Sequence, residues 1–441
     1  MIHHTGFQSL FSSLTRRQAL QIGLGTGLSF LLPTLEARAT EKRGKERPKS
    51  IIVLWMGGGP SQLESWDPHP ESSVGETVSK ISTTIPGLEI GDTLPQMAEQ
   101  IHHLSVIRSM VSKEGDHERG TYYAQTGYRP DPSVIHPSIT AVISKQLKRD
   151  DIEIPQHISL ASGDGFVVPR GGFLGADYDA FRIFDPGRNI RNMRPGVDEA
   201  RQQRRLEGLD VVSNSFASLR QKPVAKTNHQ SVIEKALTMM SSSQLEALTL
   251  EGEAQSTIDR YGDNRFGRGC LVARRLVEQG VRAIQVVLSG FDTHVNNLDG
   301  QRNQFAILDP AFATLIADLK ERDLLDSTIV LCLGEFGRTP KINPLEGRDH
   351  WPIGFSCVLG GGGLAAGRVI GETDPNAARS NEEQLTKTTP PKSPVSIPDL
   401  YATILTTMGL DPYEEIQSPI GRPFMMSEGM AVNDLLPERL R

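Results

Sequence analysis

Thr328 to Pro352 reads TIVLCLGEFGRTPKINPLEGRDHWP. An apolar run, Ile329 to Leu333, stops at Gly334-Glu335-Phe336-Gly337-Arg338-Thr339-Pro340. Short apolar runs bounded by Gly and Pro mark buried parallel strands. In open α/β sheets the carboxyl ends of such strands form the ligand crevice. Glu335 leaves the strand at that edge, and Gly347-Arg348-Asp349-His350-Trp351 can fold back over it. Carboxylates and imidazoles converging at one edge are what a divalent metal needs.

The stretch before it repeats the logic. A helix ending at Glu278 leads to a strand over Ala283 to Leu288, then to Ser289-Gly290-Phe291-Asp292-Thr293-His294. Phe305, Leu308, Phe312, Leu315, Ile316 and Leu319 recur at helical spacing within Gln304 to Arg322, which predicts a long amphipathic helix returning the chain to Thr328. That is a right-handed βαβ crossover, and it puts Asp292, His294 and Glu335 at one sheet edge. Each group also has a plain alternative: Asp292 can cap a turn, Glu335 can pair with Arg338, and Asp349 can pair with Arg348. Taken together they form a metal-site candidate, and mixed carboxylate and imidazole donors favour Zn²⁺ or Mn²⁺, with Ca²⁺ or Mg²⁺ also open. Arg338 and Arg348 are candidates to clamp an oxyanion bidentately.

Further upstream, Ile51 to Met56 predicts a first strand running into Gly57-Gly58-Gly59-Pro60. Those glycines allow either a tight turn or a close approach of backbone to another loop. Asp67 follows, as a further metal candidate or as a turn former before Pro68. Leu104 to Ser109 reads as another strand. Asp116-His117 then opens a helix that stops at Gly127, with Asp116 as N-cap and Gly127 in the C′ position. His117 would sit in the first turn, where exposed N–H groups favour an anion, or would simply pack there.

From about residue 180 to 270 the pattern turns helical and polar, with segments Glu199 to Leu206, Val211 to Leu219 and Val232 to Leu248. Low apolar density argues for a helical insertion beside the sheet rather than a second core. After Pro352 come a strand at Phe355 to Leu359, a glycine run at Gly360 to Gly363 read as a mobile loop, and a closing helix capped near Ser396. The fold class is therefore α/β, a three-layer α/β/α arrangement with a mainly parallel central sheet. One domain spans 51–441.

The first residues read as an address. Arg16-Arg17, an apolar run to Leu32, and Ala37-Arg38-Ala39 have the pattern of a twin-arginine signal over residues 1–39. The run is shorter than the ~20 apolar residues a membrane span needs. Residues 40–50 form a charged linker. The expected location is periplasmic or secreted, with no span in the mature chain. With 23% charged residues and a net charge of −6, neither nucleic acid nor an anionic membrane is an implied partner. Cys270, Cys332 and Cys357 are the only cysteines, and their spacing suits neither a metal cluster nor a disulfide framework.

Together the twin-arginine leader, GGGPSQLESWDP, DHERGTYYAQTGYRP, FDTHVNN, GEFGRTP and GRDHWP resemble the domain-of-unknown-function family 1501 over Ile51 to Leu436. That family looks like a branch of the alkaline phosphatase and sulfatase superfamily. The resemblance implies an alkaline-phosphatase-like fold and a metal pair. Asp292 and His294 are similar to the superfamily's first ligand group, Glu335 to the second and His350 to the last. Asp349 joins them as a metal candidate. It further implies a small-molecule or glycan ester of phosphate or sulfate as substrate. Sulfatases place a Cys or Ser nucleophile nine residues before a Thr-Gly pair, and here that position holds His117. Glycines stand where the superfamily has an Asp after its first strand, and Phe336 stands where the second group has a His. Two functions are thus open. One is an exported metal-dependent hydrolase using His117, Arg338 and Arg348 in catalysis. The other is a non-catalytic protein that binds a sulfated or phosphorylated glycan.

Overall fold

Strand β1, Ser50–Gly57, is buried along its whole length, as a central strand covered on both faces must be. The computed structural model describes residues 49–72, 78–163, 165–188, 193, 196–218, 229–374 and 391–441. The signal sequence and nearly all of the charged linker lie outside the described residues. The remaining long strands are β2 (Leu104–Val111), β3 (His157–Leu160), β4 (Phe181–Ile183), β5 (Ala283–Ser289), β6 (Thr328–Leu333) and β7 (Phe355–Gly361). Across the sheet the order is Val369–Ile370, β2, β7, β6, β1, β5, β3, β4, with Val395–Ser396 also paired to β2. Strand β7 is antiparallel to both its neighbours, and every other pairing in this sheet is parallel.

Nine α-helices are found among the described residues. They are α1 (Pro95–Gln100), α2 (His117–Thr126), α3 (Ile139–Gln146), α4 (Glu199–Ser218), α5 (His229–Ser241), α6 (Gln255–Tyr261), α7 (Arg265–Gln279), α8 (Asn297–Glu321) and α9 (Ile397–Met408). Alternation along β1 divides the core. Ile52, Leu54 and Met56 pack with Phe266 and Leu271 of α7 and Phe305 and Phe312 of α8. Ile51, Val53 and Trp55 pack on the other face with Tyr123 of α2, Ile143 of α3 and Leu400 and Ile404 of α9. A period of two on the strand therefore produces three layers. Each such side chain, fully buried, contributes about 1.5–3 kcal/mol. All six periodic apolar residues of α8 are fully buried, so this helix is fixed by packing rather than by its N-cap, Asn296, whose side chain makes no cap bond. By contrast α9 carries a capping box, Ser396 with Asp399, and ends on Gly409 in the left-handed region, as its sequence predicts.

Some expectations are corrected. The stretch read as two helices around residue 210 is one continuous helix, α4. The polar insertion also begins with an edge strand, β4. Its Met239, Leu248 and Tyr261 join the same apolar cluster as α7 and α8. The glycine run is not a loose loop at its start, because Gly360 and Gly361 close β7. A Cβ on Gly360 would lie 2.6 Å from Leu104, so backbone packing demands glycine there. Residues 47–441 form one compact unit. No helix among the described residues is long and apolar enough to cross a membrane, and all three cysteines are free and buried.

Candidate metal centre

Because β5, β1 and β6 are adjacent and parallel, their carboxyl ends align, with Gly57 opposite Ser289 and Trp55 opposite Leu333. The loops after all three strands therefore meet. Gly58 (φ 110°) and Gly59 (φ 79°) make the meeting possible. A Cβ on Gly58 would lie 2.5 Å from the Asp292 nitrogen, and one on Gly59 would lie 2.8 Å from the Phe336 ring. The glycine run is thus a close-approach device, not a plain turn. Gly58 N–H donates to Glu335 Oε1 at 2.9 Å, which fixes that buried carboxylate.

Helix α2 delivers the imidazole. The Asp116 side chain accepts from the N–H groups of Glu118 and Arg119, and Gly127 ends the helix at φ 77°, so local sequence sets where His117 sits. Its Nδ1 lies 2.9 Å from Glu335 Oε1 and its Nε2 lies 3.2 Å from Asp292 Oδ2. Contact with Asp292 and Glu335 raises the imidazole to about 9, against the opposing pull of burial.

Asp292 is the hub. Its Oδ1 lies 3.1 Å from His294 Nε2, 3.5 Å from His350 Nε2 and 2.6 Å from Arg338 Nη2. Burial pushes this carboxyl up, but His117, His350 and Arg338 outweigh it and hold the group far below the usual carboxylate range. His350 returns to the edge because His350–Trp351 pairs antiparallel with Gly337–Arg338. Its Nδ1 lies 2.7 Å from the Gly115 carbonyl, leaving Nε2 directed at the cluster, 3.1 Å from His294 Nε2. Asp349 Oδ1 sits 2.9 Å from His294 Nδ1 and also accepts from Asn343 Nδ2 at 3.3 Å. This carboxylate–histidine pairing orients an imidazole rather than adding a donor at the centre. Phe336 walls the site, with its ring 4.4 Å from that of His350 and 5.1 Å from that of His117.

His117, Asp292 and His350 can each offer one ligand atom, all within 4.8 Å of one another, and so form a group able to hold a metal ion. Two buried atoms independently fit a cation. Glu335 Oε2 has no hydrogen-bond partner, and neither has His117 Nε2, whose contact with Asp292 lacks hydrogen-bond geometry. Orphaned buried polar atoms are costly, and an ion held by His117, Asp292 and His350 would satisfy the His117 nitrogen.

Other sequence candidates are placed elsewhere. Arg338 is fully buried. It donates to the carbonyls of Gly58, Gly59 and Arg348 as well as to Asp292, so it holds the loops and the hub instead of facing a substrate. Arg348 is equally buried and pairs with Glu64 at 2.9 Å, both side chains at 0% exposure. It also donates to the carbonyls of Thr339 and Pro340. Asp67 does not join the centre, since its carboxylate meets Arg108, His69 and Thr373. Neither alternative pairing, Glu335 with Arg338 or Asp349 with Arg348, forms as an ion pair.

Sequence reading missed the supports. Gln62 exchanges bonds with the Arg338 backbone at 2.7 and 3.0 Å. Gln301, fully buried, accepts from Ser61 N–H and donates to the Phe291 carbonyl and Thr293 Oγ1. Its signal was present: Gln301 stands one helical turn before Phe305, a polar residue on an apolar stripe.

The chain is similar to the PsFucS1 sulfatase from Pseudoalteromonas sp., at 12% identity and TM-score 0.37, over 85% of this chain and 70% of that one. It is similar to a protein in the alkaline phosphatase superfamily from Vibrio parahaemolyticus, at 12% identity and TM-score 0.39, over 83% and 67%. The C-terminal periplasmic domain of EcEptC from Escherichia coli is similar at 10% identity and TM-score 0.37, over 90% and 95%. No curated protein matches the sequence. A family profile matches residues 48–436, and the chain belongs to the family described as Protein of unknown function (DUF1501).

Proposed function

We propose that this chain is an exported, metal-dependent hydrolase of phosphate or sulfate esters. The convergence of His117, Asp292 and His350 beside the unpartnered Glu335 oxygen carries the reading. The mixed N and O donors favour Zn²⁺ or Mn²⁺. His117, Asp292 and His350 would hold the ion, with Glu335 and His294 beside it. A divalent ion supplies Lewis-acid polarisation of an ester oxygen and activation of water. The protein's own part is positioning. Gly58 N–H and Glu335 fix His117, Asp349 turns His294 so that Nε2 faces the centre, and Arg338 holds the Asp292 carboxylate. Both His117 nitrogens face carboxylates, which supports a ligand role for it over attack on the ester.

Metal binding then requires His117 to release its proton. Below pH about 9 the neutral, metal-competent fraction of His117 in the free site falls about tenfold per pH unit, so Zn²⁺ affinity is expected to rise about tenfold per unit from pH 7 toward about 9. Titration against a competing chelator reads this slope, and His117→Ala should lower affinity and flatten it. Metal retained in the Ala variant with turnover of p-nitrophenyl esters lost would make His117 the nucleophile or base. Full metal and full turnover would reduce it to packing.

A second reading is a non-catalytic protein that binds a sulfated or phosphorylated glycan. It is favoured by the imidazole, with no hydroxyl, at the start of α2. Metal content of the purified protein together with ester turnover separates the two. Bound metal without turnover of either ester class supports the second.

Export rests on the leader, residues 1–39. Changing Arg16 and Arg17 together to Lys is expected to hold the precursor in the cytoplasm, read by fractionation. Normal export of that variant would remove the twin-arginine assignment and the periplasmic or secreted location with it.

A further inference from the structure

Two arginines outside the ligand set meet a buried carboxylate on the segment that leads into α2. Glu114, three residues before His117, is 6% exposed. Its Oε1 accepts from Arg129 Nε at 2.6 Å, and its Oε2 lies 3.5 Å from Arg119 Nε. Both arginine side chains are 63% exposed. Each meets Glu114 through Nε, and no protein group among the described residues accepts from their terminal nitrogens. The next residue, Gly115, is the acceptor facing His350 Nδ1, so one backbone segment carries the arginine anchor, holds His350 and starts the helix of His117. Three Cα steps place Glu114 within about 11 Å of His117.

We propose that Arg119 and Arg129 form a second anion subsite beside the metal centre. It would take a sulfate or phosphate group on a polyanionic glycan whose neighbouring ester lies at the centre. This deepens the hydrolase reading and rests on it for the first anion. The chemistry is that of the guanidinium fork, which matches tetrahedral oxyanions bidentately. A carboxylate only 6% exposed needs a cationic partner, and one arginine would satisfy it, yet Glu114 holds two. The pairing fixes the direction of both forks, which lowers the entropy lost on binding. Asp116 Oδ1 also lies 3.8 Å from Arg119 Nε, again leaving the terminal nitrogens unengaged. Asp116 is also engaged in capping α2.

The test uses metal-loaded full chain and calorimetric titration with two disaccharides, one sulfated on a single residue and one sulfated on both, with a phosphorylated pair as a second arm. In the wild type the second sulfate is expected to tighten binding about tenfold, and the gain should shrink at high salt. In Arg119→Gln with Arg129→Gln the gain should vanish, while metal content and affinity for the singly sulfated sugar stay unchanged. A gain seen only with the phosphorylated pair supports the subsite and assigns phosphate. A wild type that binds the single anion yet gains nothing from the second overturns the subsite and leaves the hydrolase reading standing. So does a double variant that keeps the gain. No binding of either anion removes both proposals.

Discussion

Asp292→Asn is expected to lower metal affinity by more than about 100-fold while the chain keeps its fold. Loss of a group that merely orients a ligand costs about 10–100-fold, and Asp292 is placed as a ligand and as the hub. Its two oxygens separate the site, with Oδ2 facing His117 and Oδ1 facing His294, His350 and Arg338. Asparagine preserves the shape and keeps one carbonyl oxygen for Arg338, so the loops stay closed. It removes the negative charge that both an ion and the protonated His117 need. The raised titration of His117 should consequently fall, since Asp292 is its first cause. Elemental analysis of the purified variant, alongside a thermal melt without metal, reads both effects. Wild-type metal content in Asp292→Asn would sink the assignment of this edge as a metal centre.

Arg348→Met is expected to destabilise the chain by about 3–5 kcal/mol, the usual result of removing one partner of a buried ion pair. Glu64 and Arg348 are both at 0% exposure, so the carboxylate left behind has no water to turn to. The carbonyls of Thr339 and Pro340 lose a donor as well. Pairing the change with Glu64→Leu removes the stranded charge and should recover part of the loss, as apolar replacements of buried pairs generally do. Urea unfolding of the three variants measures it. The outcome also decides what Arg348 is for. A variant that unfolds like the wild type but has lost ester turnover would return Arg348 to the oxyanion-clamp role its sequence position allowed.

Several parts of the fold were legible because the information is local. A strand ending in glycines at Met56, the helix from Asp116 to Gly127, and the capped helix at Ser396 all depend on residues within a few positions of one another. The helical period from Phe305 to Leu319 and the apolar runs at Ala283 and Thr328 then fix a βαβ unit, and its handedness and parallel pairing follow from strand twist. Adjacent parallel strands bring Asp292 and Glu335 to one edge without further information. Strand β3 and helix α3 were harder to see. His157–Leu160 is short and half polar, and α3 is a brief run of mixed β-branched residues, so neither shows a clear period.

Local patterns in the chain were enough to read the mainly parallel sheet, the edge shared by Asp292, His294, Glu335 and His350, and the capped position of His117. Which charges face one another there was settled by packing between distant segments. Asp349 beside Arg348, and Glu335 near Arg338, look like pairs along the chain, yet Asp349 meets His294, Arg338 meets Asp292, and Arg348 meets Glu64 across 284 positions. Asp67 likewise turns to Arg108 and Thr373. The cause is desolvation. A charge removed from water must take its partner from whatever the packed loops bring within reach, and neither spacing nor residue type encodes that choice.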